Sequence, residues 1–402
     1  MGYTAKKRTI TGLERVISGD RRAISLLAGR RLGLLCNQAS VDSRYRHASR
    51  LLRERFGKGL TCLFSPQHGL FSEKQDNMKE SCDERDPFTG LPVFSLYGKT
   101  RTPTPEQLSC LDILLVDLQD VGCRVYTYIW TVLNCMKACA QEKKALVVLD
   151  RPNPIGGVLV EGPILEPGLH SFVGMAPIPL RHGMTVGELA LMFRDIFSMD
   201  LELHVIEMEG WQRPMPFQDT GLAWVLPSPN MPSLETSLVY PGQVILETVN
   251  ISEGRGTTRP FEIFGAPFLE PERVLEGISC TDGAVLREQF FEPTFNKYEG
   301  MRCRGFQIHV TDPTRFRPVR FTLDLLSLLW RLYPDDMAWT PPPYEYEFEK
   351  LPADLVIGNS RIRKMVEEGS DIREIESRLR EDEAEFASRR TRWFIYRQEA
   401  DC

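Results

Sequence analysis

Five short apolar runs in the first 150 residues each close on a cluster of polar residues, and this repetition constrains the fold more than any other feature. The runs end at Cys36-Asn37-Gln38, Ser65-Pro66-Gln67-His68-Gly69, Ser95-Leu96-Tyr97-Gly98, Asp117-Leu118-Gln119-Asp120 and Leu149-Asp150-Arg151-Pro152-Asn153-Pro154. Segments with helical spacing lie between most of them. Strand–helix alternation builds a parallel sheet, and such sheets bind ligands outside the carboxyl ends of their strands. All five clusters are therefore expected at one crevice. The expected class is α/β, with a Rossmann-like parallel sheet in an N-terminal domain and a smaller α+β C-terminal domain.

Read along the chain, residues 12–27 have the spacing of one amphipathic entry helix. Strands are expected at 32–36, 60–65, 93–96, 113–116, 145–149 and 203–208, and helices at 47–56 and 126–142. Thr104-Pro105-Glu106-Gln107 and Thr185-Val186-Gly187-Glu188 are capping sequences that open two further helices, and Glu188 is assigned to its cap. The polar stretch 66–90 has no period, which in a compact domain marks a functional loop. Proline-rich text from 226 to 241 places a domain boundary near Tyr240, dividing the chain into 12–239 and 240–402. The second part carries a strand at 305–310, an apolar helix at 323–332 and a charged C-terminal helix. That helix aligns Ile372, Ile375, Leu379, Phe386 and Trp393 on one face.

At 402 residues the chain exceeds one typical core, so two domains are expected. A net charge of −6 argues against a nucleic-acid partner, which requires a basic surface. No apolar run reaches the length of a membrane span. The basic residues near the N-terminus are followed by no apolar stretch of the kind a signal peptide needs. Five of the ten cysteines (Cys36, Cys62, Cys110, Cys135 and Cys139) fall inside apolar patterns, and no C-x-x-C pair occurs. These features point to a reduced, cytoplasmic protein without a zinc site.

The first apolar run leads into Asn37-Gln38-Ala39-Ser40, so the dinucleotide fingerprint is absent, as are a P-loop and a G-x-S-x-G elbow. No cofactor is expected. His68 stands where the second strand meets the long loop, as a proton donor or an orienting group, or as a histidine satisfied by backbone at a tight turn. The loop beyond carries Glu73, Lys74, Asp76, Lys79, Glu80, Asp83 and Glu84, one of which could serve as a general acid. Asp117, Asp120 and Asp150 would form the core of a metal-dependent phosphohydrolase; otherwise Asp117 caps its loop and Asp150 pairs with Arg151 or Arg124. Residues 252–262, Ser-Glu-Gly-Arg-Gly-Thr-Thr-Arg-Pro-Phe-Glu, combine two glycines, two arginines and two threonines. They read as an anion clamp reaching the crevice from the second domain, or as an arginine loop paired with Glu253 and Glu262.

Several of these segments resemble the signatures of one family. Asp117 to Tyr128 is similar to D-L-Q-D-V-G-x-R-x-Y-T-[YF], and Leu149 to Gly157 to L-D-R-P-N-P-x-G-G. Ser171-Phe172-Val173-Gly174, Arg181-His182-Gly183-Met184-Thr185, Pro227 to Pro232 and Ser252 to Pro260 match further signatures. The chain is thus identified as resembling the exo-β-N-acetylmuramidase (NamZ) family of glycoside hydrolases, from about Gly12 to the C-terminus. The resemblance implies an interdomain cleft and release of non-reducing-end N-acetylmuramic acid from a peptidoglycan-derived substrate. It implies substrate ligands at Asn37, Gln67, Tyr97, Gln119, Arg124, Tyr126, Arg151, Asn153, His182, Asn230, Arg255, Thr257 and Thr258. Arg124, Arg151, Arg255 and Arg259 are available for the sugar's lactyl carboxylate. Where the family has Glu-His-Gly, this chain has Gln67-His68-Gly69. The acid then falls to Glu80 or Glu73, with His68 and Asp120 positioning groups and water and Glu253 as second carboxylate. Alternatively, the chain binds muropeptides or sugar acids without turnover.

Overall fold

A computed structural model describes residues 8–74 and 80–396 of the protein. The apolar runs form the strands β1 (Leu32–Cys36), β2 (Leu60–Ser65), β4 (Pro92–Ser95), β5 (Ile113–Asp117), β6 (Ala145–Leu149) and β7 (Leu203–Ile206). These six pair in parallel, and a two-residue strand β3 (Glu84–Arg85) adds antiparallel at the edge, giving the order β3-β4-β2-β1-β5-β6-β7. Without the short edge strand this is the doubly wound order, with its reversal between β1 and β5. Strands β1, β5 and β6 are buried along their whole length, which is why they read as unbroken apolar runs.

Helices cover both faces. Gly12–Ser18, Arg21–Leu27 and Ala48–Phe56 bury Leu13, Val16, Leu27, Leu51 and Leu52 against one face. Tyr128–Gln141 and Val186–Ile196 cover the other. The entry segment is two helices and not one. Gly19 takes a left-handed φ of 90° that ends the first, and the Asp20 carboxylate accepts from the Ala23 amide to cap the second. The capping boxes of Thr104 with Gln107 and of Thr185 with Glu188 are both formed.

The remaining chain builds a smaller antiparallel sheet, β8 (Ile263–Ala266), β9 (Ala284–Phe291) and β10 (Cys303–Val310), in the order β8-β10-β9. Helices Pro318–Leu332, Pro352–Ile357, Ser360–Glu367 and Ile372–Arg389 pack with it. The expected boundary at Tyr240 falls inside the helix Leu234–Gln243, whose Ser233 cap accepts from the Thr236 amide. The apolar core under Trp130 and Phe193 continues without a break into Phe264, Phe306, Phe321 and Leu325. Two buried charges fasten the same seam. The Glu161 carboxylate pairs with Arg181 at 2.9 Å and accepts from the Val319 amide at 3.2 Å, at the start of a helix. The Arg124 guanidinium donates to the carbonyls of Leu355, Val356 and Ile357, at the end of another. A cation at a helix C-terminus satisfies carbonyls that have no partner within the helix.

Candidate active site

The polar cavity at the seam collects residues from several separate segments of the chain. Gln67 and His68 come from the turn after β2, and Val125, Tyr126, Thr127 and Tyr128 from the segment after β5. Ser228, Asn230 and Met231 come from the proline-rich stretch, and Tyr240, Glu247, Arg255, Phe261, Tyr344 and Glu345 from the second half of the chain. Its free volume is about 40 Å³.

Glu345, which lies outside every motif read from the sequence, is a buried carboxyl of this cavity. Its Oε1 accepts from Gln67 Nε2 at 3.2 Å and its Oε2 from the Tyr97 hydroxyl at 2.6 Å. The Gln67 carbonyl oxygen in turn accepts from Thr127 Oγ1 at 2.6 Å, so the amide orientation is fixed. Burial pushes the Glu345 carboxyl above the usual range, against the lowering effect of the Tyr97 and Gln67 hydrogen bonds. Glu345 and Tyr346 also hold left-handed backbone, φ 45° and 67°, which is rare for such residues.

His68 sits opposite with φ 72°. Its Nδ1 lies 2.7 Å from the Lys74 carbonyl. A carbonyl only accepts, so Nδ1 carries the proton and Nε2 keeps a lone pair. Burial, with the nearby Arg255 charge, lowers the His68 pKa to about 4, so the ring is neutral at pH 7. Tyr126 packs against Tyr128 with ring centroids 4.6 Å apart and ring planes tilted by 58°, close to Ser228.

Glu247 lies across the cavity, bonded by Arg255 Nη2 and by the Tyr344 hydroxyl, each at 2.6 Å. Glu253 is held by Lys297 at 2.8 Å and Arg255 at 3.4 Å. Burial works to raise its pKa, but those two cations outweigh burial and hold the carboxyl below its ordinary value. Glu253 is therefore a charged anchor under Arg255.

Of the other residues expected here, Gln67, Tyr126, Asn230 and Arg255 line the cavity, and Tyr97 reaches it through Glu345. The rest are occupied elsewhere. Asn37 donates to Tyr128 and to the Pro227 carbonyl, and Gln119 to the Asp120 and Pro152 carbonyls. Asn153 donates to the Met184 carbonyl. Arg124 closes the helix end described above, and Arg151 is spent on Asp117 at 2.5 Å. His182 accepts the Met184 amide through Nδ1, leaving its Nε2 3.6 Å from Asp120. Asp120 also accepts from the Gly122 amide. Thr257 bonds the Gly254 carbonyl within its own loop, and Thr258 is exposed. The glycines of that loop serve packing: a Cβ on Gly254 would stand 2.5 Å from the Ile263 carbonyl, and one on Gly256 2.5 Å from the Phe295 carbonyl. Arg259 pairs with Glu262 at 3.2 Å.

Glu73 and Glu80 are both exposed, on either side of a stretch (75–79, with Asp76 and Lys79) that lies outside the described residues. The third carboxylate proposed for a metal, Asp150, accepts from Thr185, the Gly187 amide and Tyr396. Asp117, Asp120 and Asp150 thus each have separate partners, and among the described residues no group of three such ligands converges. Nor is any described helix long and apolar enough to cross a membrane.

A polar cavity with a buried carboxyl of raised pKa at the seam of a doubly wound domain and a small α+β domain has the features of an enzyme active site. Comparison with known proteins gives the particular kind. The family models described as exo-beta-N-acetylmuramidase NamZ, N-terminal and C-terminal, match residues 32–235 and 238–396. A peptidoglycan beta-N-acetylmuramidase NamZ of Bacillus subtilis (strain 168) is 42% identical over 398 residues, covering 98% of this chain and 93% of that protein. Two crystal structures of DUF1343 family proteins from Bacteroides fragilis NCTC 9343 share the fold. One has a TM-score of 0.85 at 33% identity over 97% of this chain and 99% of its own. The other has 0.76 at 27%, over 98% and 100%. The chain belongs to the NamZ family.

Proposed function

We propose that this protein is an exo-acting glycosidase that releases β-linked N-acetylmuramic acid from the non-reducing end of peptidoglycan fragments. Membership of the NamZ family along nearly the whole chain supports the substrate class. The observation that carries the chemistry is Glu345, a buried carboxyl with a raised pKa in the interdomain cavity. A general acid must be protonated at working pH and must face the leaving oxygen. Gln67 and Tyr97 each occupy one acceptor site of Glu345, which leaves further positions on the carboxyl for a proton.

In this reading Glu345 gives its proton to the bridging oxygen as the bond to the anomeric carbon breaks. Water supplies the new oxygen at that carbon, and His68 Nε2 takes the proton the water loses. The glutamine at position 67 cannot donate a carboxylic proton, but its amide holds the carboxyl that can. Residues 12–239 then form the sheet-bearing catalytic domain, and residues 240–402 a smaller domain that supplies Glu345, Glu247 and Arg255. The nine cysteines among the described residues are all free, with Cys62 and Cys110 sulfurs unbonded at 3.4 Å. That supports a reducing, cytoplasmic setting for the recycling of wall fragments.

The test is turnover of a chromogenic β-N-acetylmuramide beside the matching β-N-acetylglucosaminide. Release from the muramide alone is expected. Tight binding of muramic compounds by a folded protein that releases nothing would overturn the enzymatic reading in favour of a binding protein.

A further inference from the structure

The lactyl carboxylate that distinguishes a muramic acid needs a cation, and the arginines singled out by sequence are already spent. Arg124 closes a helix, Arg151 holds Asp117, Arg255 is shared between Glu247 and Glu253, and Arg259 pairs with Glu262. One further arginine borders the site. The Arg101 guanidinium lies 3.9 Å over the Tyr346 ring, with the Tyr97 and Phe172 rings at 5.0 and 5.2 Å. Its Nε and Nη2 are buried without a hydrogen-bond acceptor, and its charge reaches the Glu345 carboxyl without forming a salt bridge among the described residues. Its backbone is held in place, since the Arg101 carbonyl accepts from Asn134 Nδ2 at 3.2 Å.

The cage is linked to the cavity through chain neighbours and one hydrogen bond. Tyr346 follows Glu345, Phe172 precedes the lining residue Val173, and the Tyr97 hydroxyl bonds Glu345. We propose that Arg101, clamped by Tyr97, Phe172 and Tyr346, is the specificity residue that binds the carboxylate of the substrate's lactyl group. A planar guanidinium held on ring faces keeps its N–H groups in plane and unspent, in the fork that matches a carboxylate in bidentate fashion. Donors buried without an acceptor are costly, and an incoming carboxylate removes that cost. The inference rests on the functional reading above and deepens it.

The experiment compares wild type and Arg101→Gln on a chromogenic β-N-acetylmuramide and on the same compound with its lactyl group as a methyl ester. Loss of a charge-assisted contact should lower kcat/KM for the acid by about 10- to 100-fold, mainly through KM, and leave the ester nearly unchanged. Arg101→Lys keeps the charge without the fork and should recover part of the loss. Equal losses on acid and ester would overturn the proposal, because they would make Arg101 a prop for Glu345. No loss on either would overturn it too. If the wild type hydrolyses neither compound, the glycosidase reading falls. Calorimetry with free N-acetylmuramic acid then decides for Arg101: binding lost in Arg101→Gln supports the proposal, and equal binding overturns it.

Discussion

The polar clusters after β1 and β6 sit at the same sheet edge as the turn after β2 and the segment 125–128 beyond β5, yet only the latter two line the cavity. After β1 and β6, every polar group has an internal partner. Asn37 bonds Tyr128 and Pro227, Ser40 bonds the Asp117 carbonyl, Arg151 neutralises Asp117, and Asp150 collects Thr185, Gly187 and Tyr396. At the turn after β2 capacity is left, in a lone pair on His68 and, bonded to Gln67 from the second half of the chain, a carboxyl of raised pKa on Glu345. Polar residues with all their hydrogen bonds made are scaffold. Those with capacity left, at the seam with the second domain, carry the chemistry.

This contrast breaks most visibly under substitution. Glu345→Gln should cost about 10²- to 10⁴-fold in turnover of a disaccharide substrate with little change in stability, measured by reducing-sugar release and thermal melting. In the filled cluster the signs reverse. Arg151→Ala leaves Asp117 charged and fully buried, and should lower unfolding free energy by about 3–5 kcal/mol in denaturant titrations. Its folded fraction should retain the wild-type pH profile.

That pH profile sharpens the comparison. Glu345 must be protonated, so activity should persist below its raised pKa and fall as pH rises through it. His68 must be neutral, so activity should also fall as pH drops below about 4. Tyr97→Phe removes a hydrogen bond that favours the charged carboxylate. The Glu345 pKa should rise further and the alkaline limb move to higher pH, at a stability cost of about 1 kcal/mol. The smallest effect belongs to Thr104→Ala. It removes a helix cap for about 1 kcal/mol of stability and should leave both limbs where they are.

The sheet was legible because its strands are buried on both faces and the turns between them carry capping signals. The small sheet was less so: β9 exposes Val285 and Phe290 as well as Arg287 and Glu288, so no clean apolar–polar alternation marks it, and β8 is four residues long. Half of the site was legible as well, through the turn at Gln67-His68 and the segment around Tyr126. Glu345 was not. It follows three prolines in an acidic stretch that reads as linker, and it meets Gln67 across 278 residues of sequence. The signal available was the alternation Tyr344-Glu345-Tyr346-Glu347, aromatic and acidic together, which a solvated linker does not need. Arg124 and Arg151 misled for the opposite reason. An arginine in a polar cluster looks the same in sequence whether it binds a ligand or closes a helix.

The most direct test of the account is hydrolysis by Glu345→Gln of two substrates with different leaving groups. A β-N-acetylmuramyl disaccharide needs protonation of a poor leaving oxygen, whereas a nitrophenyl β-N-acetylmuramide departs largely without it. The account predicts a loss of about 10²-fold or more on the disaccharide and near-wild-type release of nitrophenol. Equal losses on the two, or full activity on both, would contradict Glu345 as the acid.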